Sequence, residues 1–464
     1  MRPGFDLEGK RVLVVGLGRT GLVTSLFAAG YGAKVTATDM RTESDLGETA
    51  SKLRAAGVKL ELGFHVASTF VGQDLIVVSP GVSSRLKPVE LGRSSGVPVW
   101  SEIELAWRFL RGKLIAITGS NGKTTTTSLV SHILRTAGIN TLTGGNIGVP
   151  LLSLVESTTD TTITVAEVSS FQLETIEKFR PDVGILLNLT PDHLDRHTSF
   201  EEYAAAKMRL FENQLDRDFA VLNADDPEVT KRTPSGPHIF WFSRRKRVSE
   251  GAFLQGNQIT IRHADSELAV GRRDEISLRG EHNLENVLAA CAAAHLAGAA
   301  PADIAAGVKT FRGVEHRLEL VGEIGGVEFY NDSKATNVDA ALKAIEAFAG
   351  PLIVILGGTD KGSPYTPLQE PLRRRARRVI LIGAAAEKIA SDLGDGLSTF
   401  QAGTLDRAVQ AAKEQAQPGD VVLFAPACSS FDQFENYEHR GRIFKQLVGN
   451  FARASNENAF ARKG

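Results

Sequence analysis

The chain has 464 residues, 42% hydrophobic and 23% charged, with 45 glycines and 17 prolines. That is an ordinary globular composition, which excludes wholesale disorder and fibrous architectures. Lys and Arg total 53 against 54 Asp and Glu, a formal charge of -1, so whole-molecule electrostatics argue for neither nucleic acid nor an anionic membrane as a partner. Cys291 and Cys428 are the two cysteines and neither has a CxxC companion, which argues against a disulfide framework and a thiolate zinc site. No stretch approaches the roughly 18 apolar residues of a membrane span. The opening MRPGFDLEGK lacks an apolar signal core, so the expected location is the cytoplasm.

Taken in chain order, short β-branched runs alternate with longer helical patterns. RVLVV (11–15) reads as a buried strand, followed by a glycine-rich turn and an amphipathic stretch through Ala29. AKVTATD (33–39) and DLIVVSPG (74–81) read as the next strands. Strand, turn, helix, strand is the unit of a parallel sheet. A second series comprises KLIAITGS (113–120), residues 162–170 and VGILLNLT (183–190). Residues 252–280 look different, with QITIRH and ELAVG alternating, and read as a β-rich excursion. PLIVILGG (351–358), RVILIG (378–383) and DVVLFAPA (420–427) form a third series. With breaks near Val99–Glu104 and Phe311–Glu315, three α/β domains of mostly parallel sheet with flanking helices fit a prior of roughly 150 residues per domain. They would cover residues 1–102 (Rossmann-like), 103–311 (P-loop type) and 312–464 (Rossmann-like). The basic runs RRKR (244–247) and RRRARR (373–378) have no interleaved aromatics and read as solvated faces.

Three glycine-rich turns carry the chemistry. Gly16-Leu17-Gly18-Arg19-Thr20-Gly21 follows a strand and opens a helix, and Asp39 ends the next strand 23 residues after Gly16. This is a Rossmann fingerprint in its proper context: glycines admit a pyrophosphate and the helix N-terminus favours its charge. Alone it suggests a nicotinamide or flavin dehydrogenase, or a tight turn without a ligand. The second turn, Thr118-Gly119-Ser120-Asn121-Gly122-Lys123-Thr124-Thr125, resembles a Walker A loop, whose backbone cradles phosphates while its Lys pairs with the outer ones and its hydroxyl meets Mg²⁺. Ile117 stands where the first Walker glycine would be, so the working spacing is G-x-x-G-K-T. The third, Gly357-Gly358-Thr359-Asp360-Lys361-Gly362, puts a lysine at a strand's C-terminal end, suited to a carboxylate or phosphate, although a flexible turn reads the same. A dehydrogenase explains only the first of these, and a simple nucleoside triphosphatase only the second.

The motifs GLGRTG, TGSNGKTTT, GGNIG (144–148), EVSSFQLE (167–174), NLTPDHLDRH (188–197), AAKMRLF (205–211), HNLEN (282–286), EHRLE (315–319), NDSKATN (331–337), GGTDKG (357–362) and PACSSFDQFENYEHRG (426–441) together resemble the Mur ligases, ATP-dependent amino-acid ligases of peptidoglycan synthesis. GLGRTG, SSFQLE and SSFDQF resemble most the member that adds D-glutamate to UDP-N-acetylmuramoyl-L-alanine. The resemblance implies ATP bound by Gly119, Ser120, Asn121, Gly122, Lys123, Thr124 and Thr125, with Asn283 and Asn286 on the adenine side and Arg317 and Asp332 on the nucleotide. The two asparagines would also serve as helix caps. It implies two Mg²⁺ ions held through Thr124, Glu167, His193 and Lys207, the last as a CO2-derived carbamate, an oxygen ligand of the kind Mg²⁺ prefers. Read without the family, Lys207 would be a helix-surface lysine and His193 a hydrogen-bonded loop histidine.

By the same resemblance Lys123, His193, Lys207 and Lys334 are the catalytic set, with His316 near the reacting centre. Arg19, Thr20, Arg41, Gly81 and Asn146 hold the UDP precursor, and Thr336, Lys361, Ser430, Phe431 and Tyr437 hold D-glutamate. Phe431 and Tyr437 read equally as core aromatics. Met40 stands where a hydroxyl residue often contacts uracil, and Tyr437 where a phenylalanine is common. A monomer is implied, with a third domain that closes over ATP. The alternatives are a sibling ligase with another amino acid, a dinucleotide-dependent oxidoreductase, and a non-catalytic nucleotide-binding module.

Overall fold

The computed structural model describes residues 5–192, 196–278, 280–360, 362 and 364–461, with side chains as far as Phe451. His193 and Lys361, both expected in the site, lie outside the described residues. The chain divides into two compact units, residues 1–277 with 281–311, and residues 278–280 with 312–464.

The first unit contains two sheets. One is wholly parallel, with strands β1 (Arg11–Val15), β2 (Lys34–Asp39), β3 (Lys59–Leu62), β4 (Leu75–Val78) and β5 (Val99–Ser101) in the order β3-β2-β1-β4-β5. Its central strands are apolar on both faces: Val12, Leu13, Val14 and Val15 are all buried, the pattern of a parallel strand covered on two sides. The other sheet has nine strands: β6 (Lys113–Thr118), β7 (Thr141–Gly145), β8 (Ile163–Glu167), β9 (Val183–Leu186), β10 (Phe219–Asn223), β11 (His238–Ser243), β12 (Gly251–Gln255), β13 (Gln258–His263) and β14 (Ser266–Arg272). Their order is β14-β13-β12-β11-β10-β9-β6-β8-β7, parallel from β7 to β12 and antiparallel across β12, β13 and β14. The β-rich excursion expected at 252–280 therefore extends the edge of the nine-stranded sheet, its strands ending at Arg272. One continuous apolar core runs through both sheets, from Leu7 and Val12 to Leu222 and Val229.

The second unit has strands β15 (Glu319–Ile324), β16 (Val327–Asn331), β17 (Leu352–Gly357), β18 (Ala376–Ile382), β19 (Thr399–Gly403) and β20 (Val421–Phe424), in the order β15-β16-β20-β17-β18-β19. Only the edge pair β15-β16 is antiparallel. Apolar clusters cover each face of this sheet.

The basic runs are only partly solvated. Arg244 donates to Glu285 at 2.7 Å and pairs with Glu281 at 3.1 Å. Arg377 lies on β18 and pairs with the buried Asp420 at 3.1 Å.

Candidate functional site

The nucleotide loop grows from β6, the middle of three adjacent parallel strands. Ile117 lies within β6 and is buried. The strand thus continues to Thr118, and the loop proper is residues 119–122, as the shortened glycine spacing requires. Gly122 has φ +85 and leads into the helix Lys123–Thr136. A Cβ there would lie 2.2 Å from Asn286 Oδ1, so only glycine admits both the left-handed turn and the neighbouring asparagine. Asn286 Nδ2 donates to Asn283 Oδ1 at 3.1 Å, and both residues are buried inside the helix Glu281–Leu296. Asn286 therefore faces the loop, and neither asparagine stands at the cap position the sequence had also allowed.

Lys123 Nζ donates to the carbonyls of Gly119 and Ser120, each at 2.9 Å. Thr124 Oγ1 donates to Glu167 Oε2 at 2.8 Å, and Asn146 Nδ2 to Glu167 Oε1 at 3.0 Å. Glu167 ends β8, Asn146 follows β7 and Thr124 follows β6, so three neighbouring strands deliver these groups to one crevice at their carboxyl ends. Asn146, expected to hold the UDP precursor, thus sits on the Glu167 carboxylate.

Lys207 overturns its solvated-surface reading. It is 2% exposed, and its ammonium donates to Gly119 O at 2.9 Å. Burial, with the nearby charge of Lys123, holds its pKa well below the ordinary lysine value, against the opposing pull of Asp192 and Glu167. The ring of Tyr203, four residues earlier on the helix Phe200–Met208, lies 4.7 Å from Lys207 Nζ. The Tyr203 hydroxyl donates to Ser120 Oγ at 3.0 Å.

Tyr203 and Asn188 are site residues that the sequence reading did not assign. Asn188 Oδ1 accepts from Asn121 N at 2.8 Å, and its Nδ2 donates back to Asn121 O at 3.1 Å. The i, i+4 spacing to Lys207 was a usable signal for Tyr203; for Asn188 only its place in NLTPDHLDRH was available. Thr125 is buried beside Thr124 on the first helical turn.

At the first glycine turn, a Cβ on Gly21 would fall 1.8 Å from Gly16 O, so close helix–strand approach requires the glycine. Asp39 is fully engaged. Its Oδ2 accepts from Leu17 N at 2.6 Å and Arg41 Nη2 at 2.9 Å, and its Oδ1 from Arg41 N at 2.9 Å and Nε at 3.1 Å. Burial by itself would raise its pKa; the bonds from Arg41 and Leu17 outweigh that and hold it at about 2. A dinucleotide site needs this carboxylate for ribose hydroxyls, and here Arg41 occupies it. Arg19 and Gly81 are exposed and Thr20 half-buried. Gly81 lies in the turn after β4, the neighbour of β1. Met40 and Phe64 are each 63% exposed.

In the second unit the ends of β16, β20 and β17 gather the expected residues. Asp332 is buried, accepts from Leu318 N at 3.2 Å, and is pushed up to about 6 by burial against the opposing charges of Arg317 and Lys334. Arg317 and Lys334 are half-buried. Lys334 N donates to His316 O at 3.1 Å. His316, Leu318 and Ala427 have φ +64, +44 and +60; backbone strain of this kind gathers at functional sites. Thr336 is half-buried, Ser430 buried, and Tyr437 half-buried at the start of the helix Tyr437–Ala461. Phe431 is 72% exposed, so it is no core aromatic.

Arg440, also unassigned from sequence, is fully buried and donates to the carbonyls of Ser333 at 2.8 Å, Cys428 at 3.1 Å and Ser429 at 3.1 Å. It thereby ties the NDSK and CSS segments together.

The donor set suits the groups a phosphoryl-transfer site needs. A buried carboxylate joined to a hydroxyl offers the hard oxygen ligands that Mg²⁺ takes alongside water and phosphate, and a glycine turn running into a helix offers the nest that holds phosphate. Among the described residues, which leave out His193, no group of three or more His, Cys, Asp or Glu converges.

A mostly parallel sheet that carries a phosphate loop, a parallel sheet with its own glycine-rich turn and a third α/β sheet define the class as a P-loop nucleotide-dependent enzyme. Its residues 10–101, 117–294 and 316–428 match the N-terminal MurD-like, middle and glutamate ligase domains of the Mur ligases, and the chain belongs to that family of ATP-dependent ligases. It is 51% identical over 97% of its length to a UDP-N-acetylmuramoylalanine--D-glutamate ligase from Koribacter versatilis, covering 99% of that protein. It is 52% identical over 96% of its length to the enzyme of that name from Acidobacterium capsulatum, covering 97% of it. Among solved structures, a UDP-N-acetylmuramate-alanine ligase from Thermotoga maritima shares the fold, with TM-score 0.57, 19% identity, and coverage of 95% of this chain and 99% of that one.

Proposed function

We propose that the chain joins D-glutamate to UDP-N-acetylmuramoyl-L-alanine in peptidoglycan precursor synthesis, with ATP cleaved to ADP and phosphate. The observation that carries the reaction type is the cluster of Thr124, Glu167 and Asn146 against the Lys123 loop, with Lys207 buried on Gly119 O. The substrates follow from the full-length likeness to ligases bearing that name.

A carboxylate is a poor acyl donor because oxide would have to leave. Its oxygen therefore attacks the γ-phosphorus of ATP, the bond to the bridging oxygen breaks, and ADP departs with the electron pair. The D-glutamate amine then adds to the acyl phosphate carbon, loses a proton, and the tetrahedral intermediate collapses with release of phosphate. Such steps ask a protein chiefly for positioning and charge neutralisation. Lys123 is the cation for the outer phosphates, and residues 119–122 with Thr125 line the phosphate nest. Thr124, Glu167 and His193 are the residues that would hold two Mg²⁺ ions, whose charge would neutralise the transferring phosphoryl group. Lys207 joins them as a carbamate: its amine nitrogen bonds the carbon of CO2 and gives up a proton, which replaces a cation by an oxygen ligand. Its burial against the nucleotide loop supports this reading.

Asn283 and Asn286 contact the adenine side, and Arg317 and Asp332 the nucleotide. Lys334 stabilises anionic charge developing on the acyl phosphate. Arg19, Thr20, Arg41, Gly81 and Asn146 serve the UDP precursor; the engaged Asp39 supports this over a dinucleotide. Thr336, Lys361, Ser430, Phe431 and Tyr437 serve D-glutamate, whose two carboxylates need a cation and hydroxyl donors. Exposure of Phe431 supports a ligand-facing place for it. Action as a monomer in the cytoplasm belongs to the same proposal and rests on the family likeness. Separately, no helix among the described residues is long and apolar enough to cross a membrane.

The test is Mg²⁺- and ATP-dependent phosphate release with the muramoyl precursor and a panel of amino acids. Release with D-glutamate only, and a product heavier by one glutamyl residue, is expected. Release with a different amino acid leaves the ligase reading and overturns the specificity; no release with any overturns both.

A further inference from the structure

The geometry points to Arg196 as a positioning residue that locks the precursor-binding turn of the first sheet to the phosphoryl-transfer centre of the second. Its guanidinium donates through Nη1 to Pro80 O at 3.0 Å and through Nη2 to Val82 O at 2.6 Å. These two carbonyls flank Gly81, in the turn after β4. The central carbon of the same guanidinium lies 4.1 Å from the centre of the Phe171 ring, on the short helix Ser170–Leu173 that follows Glu167. One cation therefore bonds the turn through its N–H groups and sits over a ring on the continuation of the Glu167 strand.

The contact is relayed at both ends. Ser79, one residue before Pro80, donates its hydroxyl to Gly16 O at 2.7 Å, the carbonyl over which the glycine-rich turn closes. On the other side, His197 stacks on Phe171 at 5.6 Å and hydrogen-bonds Ser170 at 3.1 Å. Ser84 donates to Glu174 at 2.5 Å, and Arg85 pairs with Glu202 on the lysine-bearing helix. The chain of bonds runs from the Gly16 turn through residues 79–85 to the segments that carry Glu167 and Lys207.

The chemistry explains why arginine stands here. Two carbonyls two residues apart need a rigid fork, and the ring contact needs a flat, weakly hydrated cation; a lysine offers a single point charge on a flexible stem. Resting on the proposed reaction, the consequence is a fixed distance between the precursor's pyrophosphate and the γ-phosphate, so that the acyl carboxylate arrives in line. Misplacement by about 1 Å at this stage costs on the order of a hundredfold in rate.

The test compares the full-length wild type with Arg196→Ala, Arg196→Lys and Phe171→Leu. For Arg196→Ala the KM for the UDP precursor is expected to rise about tenfold and kcat to fall, while the KM for ATP stays within about twofold. Millimolar guanidinium is expected to restore part of the lost rate. Arg196→Lys, which keeps charge without the fork, is expected to stay close to Arg196→Ala, and Phe171→Leu to fall between it and wild type. Equal losses for ATP and precursor, or no guanidinium rescue, would reduce Arg196 to a general stabiliser and overturn the proposal. Amide hydrogen exchange over residues 79–86, which needs no substrate, should quicken in Arg196→Ala ahead of the rest of the first sheet; unchanged protection there overturns the tether. Turnover by the wild type decides the proposed reaction separately, so the two readings fail independently.

Discussion

Lys207 places its amine where it is 2% exposed, with a backbone carbonyl at 2.9 Å, a tyrosine ring at 4.7 Å and Lys123 nearby. An ammonium in such a setting is costly, and the proposed conversion to a carbamate would replace it with an oxygen ligand for the metal. Lys207→Ala is therefore expected to lower phosphate release at least about a hundredfold, the scale of losing a preorganised electrostatic group. Added short carboxylates should recover part of it; an alanine variant with full activity would remove the carbamate from the mechanism. Glu102 is a second buried charge, away from the chemistry. It is 1% exposed, its Oε1 accepts from Leu152 N at 2.7 Å, its Oε2 has no hydrogen-bond partner, and burial pushes it up to about 7. Because the folded state holds this proton more tightly than the unfolded chain, stability falls as pH rises from the ordinary carboxylate range through about 7. Glu102→Gln is expected to stabilise the protein at pH 8 by up to about 3 kcal/mol, with the difference vanishing below pH ~4. Denaturant melts of both proteins across that range read it; a pH-independent difference would contradict the assignment.

Among the elements, the helix Glu102–Phe109 shows how one side chain can hold a loop. Glu104 is fully buried, and its Oε2 accepts from the backbone N of Glu177, Lys178 and Phe179 at 2.9, 2.9 and 2.7 Å. Its Oε1 accepts from Arg108 Nε at 2.8 Å, and Arg108 lies 4.0 Å from the Trp100 ring. Glu104→Ala would leave three backbone donors and a buried guanidinium without their acceptor, at a cost of about 3–5 kcal/mol. Urea unfolding checks this; a loss below about 1 kcal/mol would mean that water replaces the carboxylate. Most strands that carry candidate site residues, β6, β8 and β9 in the first unit and β17 and β20 in the second, were legible as apolar runs, because parallel strands buried on both faces leave that signature. The short or half-polar strands β3, β5, β7, β15 and β19 were not, since sequences such as KLEL or TLTGG hold no period long enough to read. β10, β11 and β16 were apolar enough to have been found from FAVLN, HIFWFS and VEFYN.

For the molecule as a whole, the two nucleotide-type turns make different claims on ligands. The phosphate nest backed by Lys123 and Glu167 is the proposed place of ATP, whereas the Rossmann-like turn has its acidic residue neutralised by Arg41. ATP with Mg²⁺ at a hundred times its dissociation constant is expected to add about 2.7 kcal/mol of stability and NAD nothing measurable; protection by NAD in thermal melts would reopen the oxidoreductase reading. The sequence by itself determined the α/β class, the three glycine-rich turns, the nucleotide loop and its shortened spacing, and the family. Each of these is a local pattern, set by the few residues that must approach a phosphate or bury a strand. Only the tertiary structure decided that Lys207 is buried, that Asp39 is spent on Arg41 and Leu17, that Asn286 closes on Gly122, that Phe431 is exposed, and that Tyr203, Asn188, Arg196 and Arg440 bond the segments of the candidate sites. Those facts depend on which distant segment lies against each side chain, and burial and partner choice are properties of that contact, not of the residue.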